Sequence, residues 1–166
     1  MNKFDFVIAI DPDITRSGVA FLDVANRKLE LSSLTFPNLM DYLIFIKGRM
    51  ATMKDIRLLV IVEAGWQNKG NWHLFRSDNK AQASAKGRQI GRNHECGMKI
   101  VEMARHYGFE VLEQPPLRKG WKGKDGKITQ EEFAYFTGVT TRTSQDMRDA
   151  GLIAWNYANL PIRVKV

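Results

Sequence analysis

Apolar and polar positions along the chain change period several times, and each change marks an element. Phe4 to Ile10 is an apolar run rich in β-formers, too short for a helix and closed by Asp11-Pro12, which predicts a buried strand. Gly18 to Val24 predicts a second strand, and Lys28 to Thr35, alternating apolar and polar, a third. Between them Asn26-Arg27 predicts a hairpin turn, with Asn26 suited to a left-handed conformation. Beyond Pro37, Leu39, Leu43, Ile46 and Met50 recur at helical spacing. Six of the seven residues from Ile56 to Val62 are apolar, as in a strand buried on both faces, and the run ends on Glu63. A polar loop containing Gly and Trp follows from Gly65 to Lys80. Ala81 to Tyr107 predicts a long helix with apolar positions at Ile90, Cys96, Ile100, Met103 and Ala104, closed by Gly108. Inside it Gly87, Gly91 and Gly97 permit close packing at about 1 kcal/mol each relative to Ala. Phe109 to Gln114 predicts a fifth strand, and Pro115-Pro116 opens a basic loop. Thr129 with Glu132 forms a capping box for a helix to Phe136. Thr143 or Ser144 starts a last helix carrying Ala150, Leu152, Ile153, Ala154 and Tyr157 before Pro161.

A meander of three strands followed by βα alternation predicts an α/β class: a mixed sheet with helices on its faces. At 166 residues the chain has the length of one domain, expected to span 1–166. A hydrophobic fraction of 44% and a charged fraction of 26% exclude disorder, collagen and coiled coil, but choose no function. No apolar run reaches the roughly 18 residues a membrane helix needs, and Asp5 interrupts any leader-like start, so an intracellular, cytoplasmic protein with no membrane partner is expected. The single cysteine, Cys96, can form neither an intrachain disulfide nor a cysteine zinc site, and reads as an apolar filler.

Charge changes the picture. The net charge is +7, and the excess is local. Six Lys or Arg stand against one acid from Lys69 to Arg92, and five against one from Arg118 to Lys127, both segments holding or adjoining a tryptophan. That is the footprint of a nucleic-acid partner, although any single lysine could simply be solvating the surface. Lys69, Arg76, Lys80, Lys86 and Arg88 would line the approach, and Arg118, Lys119, Lys122 and Lys124 would offer a second set of phosphate contacts, positioning the backbone without reading bases. His73, His94 and His106 are scattered, none close in sequence to two acids, and read as surface or capping residues.

Four carboxylates stand in informative places. Asp11 closes the first strand, Glu63 closes the fourth, and Asp146 and Asp149 share one face of the last helix. If the first and fourth strands are parallel neighbours, Asp11 and Glu63 emerge at one sheet edge, over which the last helix can bring the other two. Like charges so gathered need a cation. Hard oxygen donors without a His or Cys cluster favour Mg2+ or Mn2+, and two such ions can activate a water, hold a phosphate oxygen and stabilise a leaving alkoxide. Taken singly, Asp11 could merely end a strand and Asp149 could be a solvated helix acid. Asp13 and Asp23 are assigned to the turn and to solvent, with Asp13 kept as an auxiliary ligand candidate.

The stretches AIDPDITRSGVAFLD, LLVIVEAGW and QDMRDAGLIAW resemble the three acidic motifs of the RuvC-type Holliday junction resolvases, nucleases of the ribonuclease-H-like superfamily. The resemblance spans Val7 to Tyr157 and includes the Gly-rich long helix. It implies a ribonuclease-H-like fold with a five-stranded sheet of order 3-2-1-4-5, and a metal-dependent endonuclease that resolves four-way DNA junctions. It places the catalytic and metal-ligating positions on Asp11, Glu63, Asp146 and Asp149, with two Mg2+ or Mn2+ ions per site. It also places at Trp66 an aromatic that can stack on an unpaired base; the alternative is that Trp66 packs under its own loop. The two-fold symmetry of a junction, with the resemblance, implies a homodimer. Asp13 departs from the family's turn glycine, and the basic loop after Glu63 is longer than usual. A phage or mobile-element origin is compatible with this. Other readings stay open: a weak or inactive junction-binding module of the same fold, or a related nuclease for other branched DNA or RNA–DNA hybrids. A sugar-kinase or actin-type ATPase starts with a similar motif but needs a duplicated domain that this length does not supply.

Overall fold

The two apolar runs that end on acids become adjacent central strands. In a computed structural model describing residues 3–68 and 77–163, β1 (Phe6–Asp11), β2 (Ser17–Asp23) and β3 (Lys28–Leu34) form an antiparallel meander. β4 (Leu58–Glu63) then pairs in parallel with β1, and β5 (Glu110–Gln114) in parallel with β4, giving one mixed sheet of order β3-β2-β1-β4-β5. The helices are α1 (Phe36–Ala51), α2 (Lys80–His106), α3 (Gln130–Thr137) and α4 (Gln145–Tyr157). Among the described residues no helix is long and apolar enough to cross a membrane.

Alternation along β1 and β4 divides the core between the two sheet faces. Ile8, Ile10, Val60 and Val62 pack with Leu39 and Leu43 of α1 and Ile100 and Ala104 of α2. Val7, Ala9, Leu59 and Ile61 face the other way, onto Ile153, Ala154 and Trp155 of α4. Because β1 and β4 are covered on both sides they carry no polar alternation, whereas β3, at the edge of the sheet, does. A smaller cluster, Ile128, Phe133 and Leu152 with Trp121, joins α3 and the preceding basic loop to α4.

Two local expectations are corrected. In the β2–β3 hairpin the left-handed residue is Arg27, at φ 53°, not Asn26. Asp23 accepts the Asn26 N–H at 3.0 Å and its side-chain amide at 2.8 Å, which fixes Asn26 and passes the tight step to its neighbour. The first strand starts two residues later and ends one later than expected: Phe4 is buried but outside it, and Asp11 is still inside, opposite Gly18. The capping box of α3 forms in full on Thr129 and Glu132. Of the two candidate caps for α4, Ser144 accepts the Met147 N–H at 3.3 Å, while the Thr143 hydroxyl bonds Gln130.

Candidate metal centre

Three elements deliver the acids to one place. The β1–β4 register sets Ile10 beside Val62, so Asp11 and Glu63 are the next residues at the same end of parallel neighbours. Across β2, Gly18 faces Asp11, and a Cβ there would lie 1.9 Å from the Asp146 carbonyl oxygen. Only glycine lets the first turn of α4 rest directly on β2 at this point. The helix then brings Asp146 and Asp149 over the strand end, and one carboxylate oxygen from each of Asp11, Asp146 and Asp149 lies within 4.8 Å of the others. Glu63 falls outside that trio but within its field.

The site is under electrostatic tension. Burial holds the Asp11 carboxyl well above the usual carboxylate range, and the charges of Glu63, Asp149 and Asp146 push it further, against Lys127. Glu63 is raised to about 7, first by burial and then by Asp149, with Lys119 and Lys127 opposing. Asp146 is raised mainly by burial, with Asp13 and Asp149 adding to it while Lys127 and Arg148 oppose. Three acid-only donors converging at this separation, with neither His nor Cys among them, fit a hard divalent cation.

Lys127 is a residue that sequence reasoning counted only as part of a basic segment. Its Nζ lies 3.5 Å from Asp149 Oδ2, and Gln145 Nε2 donates to Asp149 Oδ1 at 2.8 Å. Lys127 reaches the acids because the loop before α3 is built rather than loose. The Trp121 N–H donates to the Gly126 carbonyl at 3.1 Å, the Gly123 N–H to the Lys127 carbonyl at 3.0 Å, and the Lys122 N–H to Glu132 Oε1 at 3.1 Å. A Cβ on Gly123 would sit 2.4 Å from that Lys127 carbonyl. Trp121 itself stacks on Phe136, centroids 6.0 Å apart. The only hint in sequence was position: Lys127 stands two residues before the cap of α3.

Of the other candidate residues, Lys80, Arg88, Arg118, Lys119, Lys122 and Lys124 are exposed. Lys86 is bound to Asp78 at 2.7 Å. Lys69, Arg76 and His73 lie outside the described residues. Trp66 is half-buried: its ring fills the space a Cβ on Gly97 would take, 2.4 Å from that position, and its Nε1 donates to Glu113 Oε2 at 3.3 Å. The packing alternative is the one this geometry describes. Asp13 does not join the acidic trio. Its Oδ1 accepts the N–H groups of Thr15 at 2.7 Å and Arg16 at 3.3 Å, and its Oδ2 the side-chain amide of Asn93 at 3.2 Å. Its φ is not positive, so the turn dispenses with the left-handed freedom of a glycine and is held by the side chain instead. Buried Cys96 donates weakly from Sγ to the Asp13 carbonyl at 3.6 Å. His94 meets the Trp66 ring edge-on and His106 packs on Tyr107.

No protein-family model matches the sequence, and no curated protein matches it. Solved structures similar to it include two of RuvC. One is Thermus thermophilus RuvC in complex with a Holliday junction substrate, 18% identical over 90% of this chain and 89% of that one, TM-score 0.45. The other is a Thermus thermophilus RuvC structure, 19% identical over 90% of both chains, TM-score 0.43.

Proposed function

We propose that this protein is a divalent-metal-dependent endonuclease that cuts branched DNA, with the four-way junction as its substrate. The observation that carries the reading is the convergence of Asp11, Asp146 and Asp149 within 4.8 Å. These residues would hold the ion together with Glu63, whose proton affinity, like that of Asp11, is raised first by burial and then by the neighbouring acids. Once bound, Mg2+ or Mn2+ supplies activation of water and neutralisation of the charge that develops on the phosphate. The chain's own contribution is orientation. Gln145 and Lys127 fix the two oxygens of Asp149, and the Gly18 contact sets the height of α4 over the strand. Lys119, exposed and within electrostatic reach of Glu63, would meet a scissile phosphate, while Arg118, Lys122, Lys124, Lys80 and Arg88 would bind the arms through their backbones. The motif resemblance supplies the junction as substrate, and two-fold cleavage of a junction calls for a homodimer.

A second reading is favoured by one feature: the Lys127–Asp149 pair already offsets part of the negative charge without any ion. It describes a junction-binding module that does not cut. Incubating a labelled four-way junction and a matched linear duplex with the protein, in Mg2+, Mn2+ or chelator, separates the two. Metal-dependent cutting of the junction is expected. Equal cutting of both DNAs would remove the branch selectivity, and metal-indifferent binding without cleavage would establish the second reading.

A further inference from the structure

We infer that Ile14, at the tip of the β1–β2 turn, is an apolar wedge that meets an unstacked base beside the acidic centre; the inference rests on the branched-DNA reading above. Among the described residues seven large hydrophobic side chains are strongly exposed. Ile44, Phe45 and Met53 lie on or just beyond α1, Met98 on α2, Tyr135 on α3 and Ile162 past α4, whereas Ile14 stands three residues from Asp11. A lone exposed apolar residue needs no special explanation. Ile14 differs in its place and in how it is held.

The turn that carries it is fastened on both flanks. The Ile14 N–H donates to Asn93 Oδ1 of α2 at 3.1 Å, and the Asn93 amide returns a bond to Asp13 Oδ2 at 3.2 Å. Asp13 Oδ1 closes the turn on the Thr15 and Arg16 N–H groups. The Arg16 guanidinium donates to the hydroxyl of Ser33 on β3 at 3.2 Å and to its carbonyl. With the backbone anchored to α2 and β3, the Ile14 side chain is nevertheless 40% exposed, held in water where it contributes little to the core. Fixing a contact side chain before binding lowers the ordering cost of the contact. The turn borders the acids, because it joins Asp11 to Gly18, which faces Asp11 across the sheet and lies directly against the Asp146 main chain. Asn93 also stands on α2 between the exposed cations Arg88 and Arg92 and the buried Cys96, so backbone binding by the helix and presentation of Ile14 share one anchor. Aliphatic wedges of this kind insert at base steps and hold them unstacked; Trp66 is half-buried against Gly97, whereas Ile14 is exposed.

The test uses a four-way junction with 2-aminopurine at the branch point, in chelator so that the DNA stays intact, at saturating protein. The parent is expected to raise the fluorescence. Ile14→Ser is expected to lose about three- to ten-fold of that rise, as follows from removing an apolar contact. Ile14→Leu should keep it, and so should Ile44→Ser on the distant α1 surface. Thermal melts check that each variant is folded. A rise in Ile14→Ser equal to the parent's, or a parent that saturates the junction without any rise, overturns the inference while leaving the nuclease reading intact. A parent that neither binds nor cuts the junction overturns both.

Discussion

At Asp11 function and stability pull in opposite directions. Its partly buried carboxylate stands among three other acids, which is what a divalent ion requires and what a metal-free protein must endure. Asp11→Asn keeps the shape and removes the charge. Cleavage of the junction is expected to fall by more than about a hundred-fold, because one ligand and its charge are gone. In chelator, however, the same variant should be more stable than the parent by on the order of 1–3 kcal/mol, read from denaturant melts at pH 8. A destabilised Asp11→Asn would mean that the carboxylate is satisfied within the fold and that the repulsion described here is absent. In sequence Asp11 taken singly read as well as the end of a strand, and Glu63 was the more legible of the two, since a strand buried on both faces rarely closes on a charge without a partner. Lys127 was not legible: a lysine in a basic loop looks the same whether it faces solvent or Asp149, and only the folded course of residues 115–128 decides.

At the scale of elements, the site depends on how closely α4 rides on β2. Gly18→Ala inserts a methyl group where 1.9 Å separates it from the Asp146 carbonyl, a main-chain atom that cannot rotate away. The helix must lift, and a loss of about 2–4 kcal/mol in unfolding free energy is expected together with weaker metal binding. Gly48→Ala, where nothing lies within 4 Å, serves as the control and should be neutral or slightly stabilising. Equal stability of Gly18→Ala and parent would show that α4 can be accommodated elsewhere. Periodicity made the strands and helices readable to within a residue or two, because burial on one or two faces writes itself into the apolar pattern. The close approach at Gly18 left no such trace: it joins residues 128 positions apart, and a glycine opening a strand reads equally well as part of the turn. Trp66 was ambiguous for the same reason, since its partner Gly97 lies on a helix that the pattern alone does not orient.

For the whole molecule the acidic centre makes metal, pH and stability one linked quantity. Glu63 is raised from 4.5 to about 7, and Asp11 is raised as well, so between these limits the folded protein binds more protons than the unfolded chain. Stability without metal should therefore be greatest near the ordinary carboxylate range and fall as the pH rises through about 7, by on the order of 3 kcal/mol for Glu63 alone. Glu63→Gln should flatten that fall, as followed by melts in chelator from pH 4.5 to 8.5, and an unchanged slope would contradict the assignment. The sheet order that the motif resemblance implied is the one observed, and it makes β1 and β4 parallel neighbours that end on Asp11 and Glu63.

Calorimetric titration of Mn2+ into the intact protein at pH 8 tests the central claim most directly, because it asks whether the converging acids hold an ion, independently of any DNA. Saturable binding is predicted, weakened by about ten-fold or more in Asp149→Asn. Absence of saturable binding, or an affinity that Asp149→Asn leaves unchanged, would contradict it.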